Sequence, residues 1–453
     1  MRTPARALLI AAITLVSIGI PLSAQITLFG HAEILNFAYF SPDGKYALTS
    51  ANDGTARIWD ASTGAQLHLL QHPGEGVYNS MYSPNGSVVA MLGYDTTVRI
   101  WDASTGELLH ALHGHRARIR SAAFSPDGAR LITGSFDSTA NIWDVKTGNL
   151  IHTLSGHLQT VFTVAYSNDG SLVATASADS TAKIWNAETG ELLHTLRGHV
   201  APLTSVVFSP DGKLLATSSF DSTARVWEVG SGNLKFNLVG HANRVGSPAF
   251  NSTGTRLITP SFDSTARVWN MADGSLIRTF RAHGSRVTSV NLSPNDRYVV
   301  SSGFDGKAIV WEVGTGTVIS VFFHSKRVNS AVFSPNGLRV LTSSYDSTAK
   351  IWNMPESAGA DEGSALRAAA GITVAPNPCG SMTTITYDVP HGGPATLTLA
   401  DGLGRDLRTL FHGELSPGRH ARQVDVSDLP AGVYFYTLRM PDRNLRGTMT
   451  VVR

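Results

Sequence analysis

Short apolar stretches separated by tight turns recur along most of the chain, and residues 198–238 show the pattern clearly. Residues 203–208, 213–219, 223–228 and 234–238 are rich in apolar and β-branched side chains, which predicts four strands. The Ser-Pro-Asp-Gly segment between the first two is a tight turn, because Pro fixes φ and Gly tolerates a positive φ. Both faces of this small sheet carry apolar residues, so neighbouring sheets must cover both of them.

This unit occurs eight times, and the tryptophans of the chain mark its period. Their spacing is 42 residues six times and 41 once: Trp59, Trp101, Trp143, Trp185, Trp227, Trp269, Trp311 and Trp352. A fixed period in this range indicates stacked or radial repeats. Four-stranded sheets packed radially around a channel cover both sheet faces and leave only short edges. The pattern therefore predicts an all-β fold, a propeller with eight blades.

Each unit also carries polar residues at fixed places. It opens on Gly-His or a variant and closes on Trp-Asp or a variant, with Asp six residues before each Trp and, in seven units, Thr or Ser ten residues before it. This set resembles the WD-repeat propellers, over about 330 residues. The resemblance implies a buried hydrogen-bond chain in each blade, which in the fifth unit joins Trp227, Thr217, His199 and Asp221. A buried indole N–H needs an acceptor and a buried carboxylate needs donors.

A Thr, a His and an Asp together also have the composition of a nucleophilic triad. The set occurs in seven of the eight units and always with Trp, whereas a catalytic site is needed once. We interpret the set as structural and predict that the protein is not an enzyme.

No Gly-rich phosphate loop or cluster with metal-ligand spacing is found in the sequence, and no cofactor is predicted. His68, His110, His152 and His194 recur in four predicted outer strands, but separate blades cannot share one metal, so we interpret them as surface residues.

The charge balance gives no overall attraction to nucleic acid or to an anionic membrane. Lys and Arg number 36 against 34 Asp and Glu, and Arg2 and Arg6 lie in residues 1–24. That segment has a charged start, an apolar run over residues 7–20 and a small residue at its end, which predicts a secretory signal peptide. The apolar run is too short to span a bilayer. A buried first helix is the alternative interpretation.

Cys379 is the single cysteine, so no internal disulfide can form.

The propeller is predicted over residues 25–354, and its ring must close between the two ends of that range. The eighth unit has only three strands of its own, and residues 26–29 can supply the fourth beside residues 349–352. Seven blades with one repeat left out is the alternative, because the second unit is irregular. That unit has Met91 in place of Thr and Gln71 in place of Gly, so its hydrogen-bond chain must be incomplete. In the sixth unit Pro248 and Pro260 remove ladder donors and predict a bulge.

Two sets of loop residues escape the structural pattern and are candidate partner-binding residues. The position before the turn Asp is aromatic in six units: Tyr94, Phe136, Phe220, Phe262, Phe304 and Tyr345. The loop after His carries arginine at one equivalent position in four units: Arg118, Arg244, Arg286 and Arg327. Aromatic side chains and Arg are enriched in binding hot spots. The alternative is that the rings only pack against adjacent blades and the arginines are solvated.

The last part of the chain contains β-strand patterns without the repeat. Residues 355–371 are small and polar, which predicts a flexible linker. Residues 372–453 contain short strands split by Pro and Gly, which predicts a small β-sandwich. They resemble the type IX secretion C-terminal sorting domain, through Pro376, Asn377 and Pro378 and through Gly432, Val433 and Tyr434. The resemblance implies export across the outer membrane by its secretion machinery. An ordinary accessory β-domain is the alternative.

These features together favour a secreted or outer-membrane-surface scaffold that binds a protein partner through one propeller face. A surface glycan or lipopolysaccharide is a further candidate partner. Binding of nucleic acid is not predicted, and neither is a transmembrane span. A glycan-binding module is the first alternative, because exposed aromatic rings suit sugars. The second is an enzyme with a site in the channel, against which the channel positions from Asn36 to Asn329 offer no acid–base set.

Overall fold

The structure is a computed structural model that describes residues 25–74, 76–355, 372–375, 381–389, 392–401, 406–430, 432–440 and 444–451. The chain divides into two compact units, Met1–Pro355 and Glu356–Arg453. The segment predicted as a signal peptide, all but the first residue of the predicted linker and the triplet Pro376, Asn377 and Pro378 lie outside the described residues. The expectations for those segments stay predictions.

The first unit consists of eight antiparallel four-stranded sheets, which confirms the eight-bladed propeller. In each blade the strands follow chain order from the channel outward. Blade one consists of β2 (Leu35–Phe40), β3 (Tyr46–Ala51), β4 (Thr55–Asp60) and β5 (Gln66–Gln71), and blade two of β6 (Val77–Tyr82), β7 (Val88–Gly93), β8 (Val98–Asp102) and β9 (Leu108–Leu112). Blade three consists of β10 (Ile119–Phe124), β11 (Arg130–Ser135), β12 (Ala140–Asp144) and β13 (Leu150–Leu154), and blade four of β14 (Val161–Tyr166), β15 (Leu172–Ser177), β16 (Ala182–Asn186) and β17 (Leu192–Leu196).

Blades five to eight repeat this arrangement, and only the last takes a strand from the other end of the chain. Blade five consists of β18 (Leu203–Phe208), β19 (Leu214–Ser219), β20 (Ala224–Glu228) and β21 (Leu234–Leu238), and blade six of β22 (Ala249–Phe250), β23 (Arg256–Pro260), β24 (Ala266–Asn270) and β25 (Leu276–Phe280). Blade seven consists of β26 (Val287–Leu292), β27 (Tyr298–Gly303), β28 (Lys307–Glu312) and β29 (Val318–Phe323), and blade eight of β30 (Val328–Phe333), β31 (Arg339–Ser344), β32 (Ala349–Asn353) and β1 (Gln25–Leu28).

Strand β1 closes the ring as the sequence predicts. It pairs antiparallel with β32, with Leu28 opposite Ala349. Leu28 is 1% exposed and packs in a core cluster that contains side chains from blades one and eight. On the channel side the Asn329 side-chain amide donates to the Asn36 carbonyl, which joins the innermost strands of the same two blades. Both the outermost and the innermost strands therefore link the two ends of the propeller sequence.

The predicted hydrogen-bond chain is present in seven blades. In blade five the Trp227 indole N–H donates to Thr217 Oγ1 at 2.9 Å, and that hydroxyl lies 2.9 Å from His199 Nε2. His199 Nδ1 lies 2.7 Å from Asp221 Oδ2. A neutral imidazole with its proton on Nδ1 satisfies every one of these contacts. All the polar atoms of the chain are thus occupied inside the blade, as a structural role requires.

Replacing Thr217 by Val is expected to cost about 1–3 kcal/mol, because the Trp227 N–H and His199 Nε2 then lose their buried partner. Thr217→Ser is the matched control, since Ser301 makes both contacts in blade seven at 2.8 Å each. Denaturant unfolding of the two variants measures the difference. Equal stability of Thr217→Val and wild type would contradict the register assigned to the chain.

Blade two lacks this chain, as its sequence predicts. Met91 is buried where other blades have a hydroxyl, and the Trp101 indole N–H has no partner among the described residues. In this blade the Arg99 guanidinium instead contacts His72 Nε2 and donates to Asp95 Oδ2 at 3.0 Å. The blade nevertheless keeps four strands in the ring, which excludes the seven-blade alternative.

Blade six is shortened at its innermost strand, where Pro248 has no N–H to donate. Strand β22 is only two residues long. The backbone before it is held by single contacts, and the Gly246 N–H donates to the Pro260 carbonyl at 2.8 Å. Ser247 forms an isolated bridge with Ser289 of blade seven. The innermost strand is therefore irregular beside the channel, as predicted for Pro248, whereas β23 pairs with β24 in continuous register through Pro260.

The recurrent outer-strand histidines have a role that the sequence interpretation missed. His110 and His152 contact backbone carbonyls of the next blade, Lys146 at 2.9 Å and Glu188 at 2.7 Å. His194 makes the equivalent contact with Gly230 at 3.2 Å. Each ring also packs against a turn glycine of that blade, which has no Cβ to collide with it. These three half-buried histidines join neighbouring blades, a contact that the sequence interpretation did not predict.

The second unit contains two sheets that share one core. Strands β33 (Ile372–Ala375), β34 (Met382–Val389) and β37 (Gly418–Asp425) form one sheet, in the order β33-β34-β37. Strands β35 (Gly393–Ala400), β36 (Asp406–Leu415), β38 (Gly432–Arg439) and β39 (Asn444–Val451) form the other, in the order β36-β35-β38-β39. Ile385 and Val424 of the first sheet and Leu397 and Tyr436 of the second belong to the same buried cluster. Two small sheets around one core match the predicted sandwich.

Candidate binding face and channel

The candidate aromatic and Arg residues of a blade are held together by its own backbone. The Arg lies just before the innermost strand, and the aromatic residue follows the second strand. In blade six the Phe262 N–H donates to the Arg244 carbonyl at 3.0 Å. The same bond joins Phe136 to Arg118, Phe304 to Arg286 and Tyr345 to Arg327, at 2.9–3.0 Å. Both side chains therefore leave the blade at one end of the channel, which we call the rim.

The side chains form a stack across blades five to eight. The Arg244 guanidinium lies 3.6 Å from the ring centroid of Phe262 in its own blade and 4.8 Å from that of Phe220 in the preceding blade. The next two arginines repeat this arrangement. Arg286 lies between Phe262 and Phe304, and Arg327 between Phe304 and Tyr345. Four rings and three guanidinium groups thus alternate along half of the rim, and we call this set the rim stack.

A shorter stack of the same kind lies on blades two and three. The Arg118 guanidinium is 3.8 Å from the Tyr94 ring centroid and 5.8 Å from that of Phe136. The two stacks are separated because blades one and four lack the aromatic residue, with Asn52 and Ala178 in its place. All ten predicted partner-binding residues are therefore at the rim, in two groups.

Burial changes the electrostatics of three of the four rim arginines. Burial lowers the pKa of Arg118, Arg244 and Arg327, and the neighbouring Arg286 lowers that of Arg244 further. They remain charged at neutral pH. No ion pair joins these three or Arg286 to a carboxylate among the described residues. The guanidinium faces are covered by rings, so their edges are the part that can donate hydrogen bonds. Arg118, Arg244 and Arg327 are half-buried, and Arg286 is exposed.

Inside the rim the channel holds a cavity of about 430 Å³. Its wall combines aromatic rings, hydroxyl and amide side chains, and two arginines, Arg120 and Arg244. Carboxylate and imidazole side chains are not among the residues that line it. The cavity wall consequently offers no general acid or base of those types.

A second cavity, of about 570 Å³, lies at the opposite end of the channel. Pro42, Pro84, Pro294 and Pro335 from the Ser-Pro turns line it together with apolar and aromatic side chains. The residues that line it are uncharged. The cationic groups of the channel are thus found in the cavity at the rim, and the two ends differ in chemistry.

Arg120 is a channel residue that the loop pattern of the sequence did not identify. It is the second residue of the innermost strand β10, and the same position in the neighbouring blades holds Tyr78 and Phe162. Alternation along β10 buries Ile119 in the blade and directs Arg120 to the cavity. The alternation of buried and channel-facing residues along β10, compared with the equivalent strands of the other repeats, would have identified Arg120 as a channel residue.

The described sorting-domain residues have structural positions. Gly432 begins β38 and pairs with Val451, and Val433 pairs with Thr450. Tyr434 is buried in the shared core, and its hydroxyl donates to the Pro430 carbonyl at 2.8 Å. Tyr434 therefore contributes to the shared core of this unit, whereas recognition by the export machinery remains a prediction.

The described part of the chain has neither a group of three potential His, Cys, Asp or Glu metal ligands nor a helix that could cross a membrane.

Comparison with known proteins gives two family matches. The model described as WD domain, G-beta repeat matches residues 23–60, 64–102, 106–144, 148–186, 190–228, 232–270, 274–312 and 316–353. The model described as secretion system C-terminal sorting domain matches residues 373–450. The chain is also similar to a crystal structure of the computationally designed Ika8 protein, with a TM-score of 0.66 and 28% identity over 72% of this chain and 98% of that chain. The comparison with curated proteins gives no match.

Proposed function

This chain belongs to the WD-repeat family and carries a C-terminal sorting domain, and we propose that it is a non-catalytic scaffold that binds a protein partner through its rim. Its repeats are typical of protein-interaction scaffolds, and its sorting domain indicates export by the type IX secretion system to the cell surface or beyond. The fold alone does not decide the function, because propellers host many. The function must therefore be inferred from the side chains at the rim.

The rim stack is the observation that supports this proposal most directly. It places three guanidinium groups, each between two rings, on one continuous surface of blades five to eight. Arg held by aromatic rings loses little conformational freedom on binding, and its edges form planar, charge-assisted hydrogen bonds. Phe136 and Phe220 are each 43% exposed, so apolar surface is available at both stacks. Clustered Arg and aromatic anchors are what protein hot spots contain.

The comparisons give no support to a glycan or lipopolysaccharide partner, and we do not propose one. An enzyme in the channel is likewise not proposed, because the rim cavity has no carboxylate or imidazole among its lining residues. The two retained elements of the function are therefore export and protein binding.

Capture from the native cell surface and medium tests the protein-binding proposal. The full chain is compared with a variant in which Arg118, Arg244, Arg286 and Arg327 are changed to Glu, and retained proteins are identified by mass spectrometry. We expect a protein that the wild type retains and the variant loses.

A matched control has the same change of charge away from the rim stack. Arg197, Lys213, Arg256 and Arg281 are exposed, and changing them to Glu should leave capture intact. Circular dichroism and melting temperature check that both variants fold. Equal retention by the wild type and the rim variant would overturn the proposed face, and loss in both variants would reduce the interaction to net charge.

A further inference from the structure

We infer that the rim cavity binds a carboxylate side chain of an acidic segment from the protein partner, with Arg120 and Arg244 as its hydrogen-bond donors. This inference rests on the proposed function and adds the chemistry of the partner. It also assigns a binding role to Arg120, which is not one of the residues predicted from the loop pattern.

Arg120 is the only charged residue in a ring of equivalent channel positions. The ring is formed by the second residue of each innermost-strand segment: Asn36, Tyr78, Arg120, Phe162, Thr204, Gly246, Thr288 and Asn329. The Arg120 guanidinium lies 4.5 Å from the Tyr78 ring centroid and donates to the Tyr78 hydroxyl. Among the described residues no carboxylate pairs with it. A phenol hydroxyl leaves the charge of Arg120 uncompensated.

A second arginine faces the same cavity from the other side. Arg244 lines it together with Arg120, and the described lining contains no carboxylate to separate them. Burial, followed by the charge of Arg244, lowers the pKa of Arg120 to about 10. Like charges near one cavity disfavour each other, and an anion between them would reverse that cost. The cavity consequently has a positive potential, which low-dielectric walls concentrate.

The rest of the wall favours a carboxylate carried by a partly apolar segment. Phe37 and Phe162 give the wall aromatic surface. Two hydroxyls of the wall already donate hydrogen bonds, from Thr204 Oγ1 to the Val245 carbonyl at 2.6 Å and from Thr163 Oγ1 to the Thr204 carbonyl at 3.0 Å, whereas Ser121 Oγ has no partner among the described residues. The guanidinium groups carry a charge, so their edges are the strongest donors that the wall offers to a ligand. Planar guanidinium and carboxylate groups match in two-point hydrogen bonding.

The cavity continues into the rim stack, which favours a protein segment over a free small anion. Phe220, Arg244 and Phe262 line the cavity and also belong to the stack. One ligand that places an acidic side chain in the cavity can therefore cover the stack with its neighbouring residues. Further acidic residues in such a segment would meet Arg286 and Arg327, which stack next to Phe262 and Phe304.

Calorimetric titration of the full chain with short capped peptides tests the inference. The probes are a peptide that repeats Glu-Phe-Gly and a counterpart that repeats Gln-Phe-Gly, which differ only in charge. We expect the Glu peptide to bind at least about tenfold more tightly. We expect Arg120→Gln to remove that preference.

Arg281→Gln is the matched control, because it removes one exposed positive charge outside the cavity. It should keep the preference for the Glu peptide. Arg120→Lys provides a second variant that keeps the charge but loses two-point hydrogen bonding, and it should weaken the Glu peptide alone. Melting temperatures verify folding of each variant. No preference for Glu in the wild type, or an unchanged preference in both folded Arg120 variants, would overturn the inference.

The outcomes separate the failure of this inference from the failure of the proposed function. If a captured partner is lost with the rim variant but retained by Arg120→Gln, the rim binds protein and the channel assignment is wrong. If Arg120 controls the Glu peptide but no protein is captured by the wild type, the cavity binds carboxylates and the proposed protein partner is wrong. Loss of the captured partner in Arg120→Gln, but not in Arg281→Gln, supports both.

Discussion

Replacing Leu28 by Asp is expected to destabilise the propeller by several kcal/mol, whereas the same change at Phe29 should leave its stability nearly unchanged. Leu28 is 1% exposed in the strand that closes the ring, and Phe29, directly after that strand, is 71% exposed. An Asp at position 28 would lose the apolar contacts and bury a carboxylate in a cluster of apolar side chains. Either change alone costs about 2–5 kcal/mol at a buried site.

Position 28 matters more than an average core site because the ring closes there. Strand β1 is the outermost strand of blade eight and covers an edge of β32 that would otherwise be unpaired. Weakening it separates the two ends of the propeller as well as removing contacts.

Denaturant unfolding of wild type, Leu28→Asp and Phe29→Asp measures the effect. The two variants carry the same new charge one residue apart, so a difference between them reports burial. If both variants unfolded at the wild-type midpoint, β1 would not contribute to ring closure in solution.

The sequence was sufficient for the blades because each unit repeats the same local solution. The four strands predicted for residues 203–208, 213–219, 223–228 and 234–238 match β18 to β21 within one residue at each end. Eight copies in phase remove the ambiguity that a single short apolar stretch has between strand and buried helix. The same redundancy identified the closing strand, since the eighth unit lacked its fourth strand.

The contacts between blades could not be predicted in the same way. The sequence placed Arg244 and Phe262 in neighbouring loops of one blade, but the second ring on Arg244 is Phe220 of the preceding blade. That contact depends on the distance and rotation between adjacent sheets, which the repeat does not encode. His152 and its contact with the Glu188 carbonyl were missed for the same reason. The rim stack thus emerges only when blades are placed side by side.

Acidification below about pH 4 is expected to destabilise the propeller steeply, because its hydrogen-bond chains hold seven aspartates in the charged form. Burial alone would raise the pKa of Asp221, but the hydrogen bonds from His199 and Thr223 outweigh it and hold that pKa well below its usual range. The pKa is lowered in the same way at the equivalent positions of the other six blades: Asp53, Asp137, Asp179, Asp263, Asp305 and Asp346.

The sign follows from proton binding. An unfolded chain takes up protons on aspartate near pH 4, whereas the folded blades keep these carboxylates ionised to lower pH. The stabilisation they provide is therefore complete above about pH 5 and is lost as the pH falls toward the depressed folded pKa. Each carboxylate contributes up to about 1.4 kcal/mol per pH unit within that window. Seven copies acting together make the acid side of the stability profile unusually steep.

Asp221→Asn isolates one of these contributions, because the amide does not titrate. The free energy of unfolding is measured in denaturant from pH 7 to pH 3 for wild type and variant. The difference between them should be constant above about pH 5 and shrink by up to about 1.4 kcal/mol per pH unit below pH 4. Glu33→Gln is the control, since it removes one exposed carboxylate outside the hydrogen-bond chains. A wild-type advantage that stayed constant down to pH 3 would mean that the Asp221 carboxylate is not held ionised by its blade.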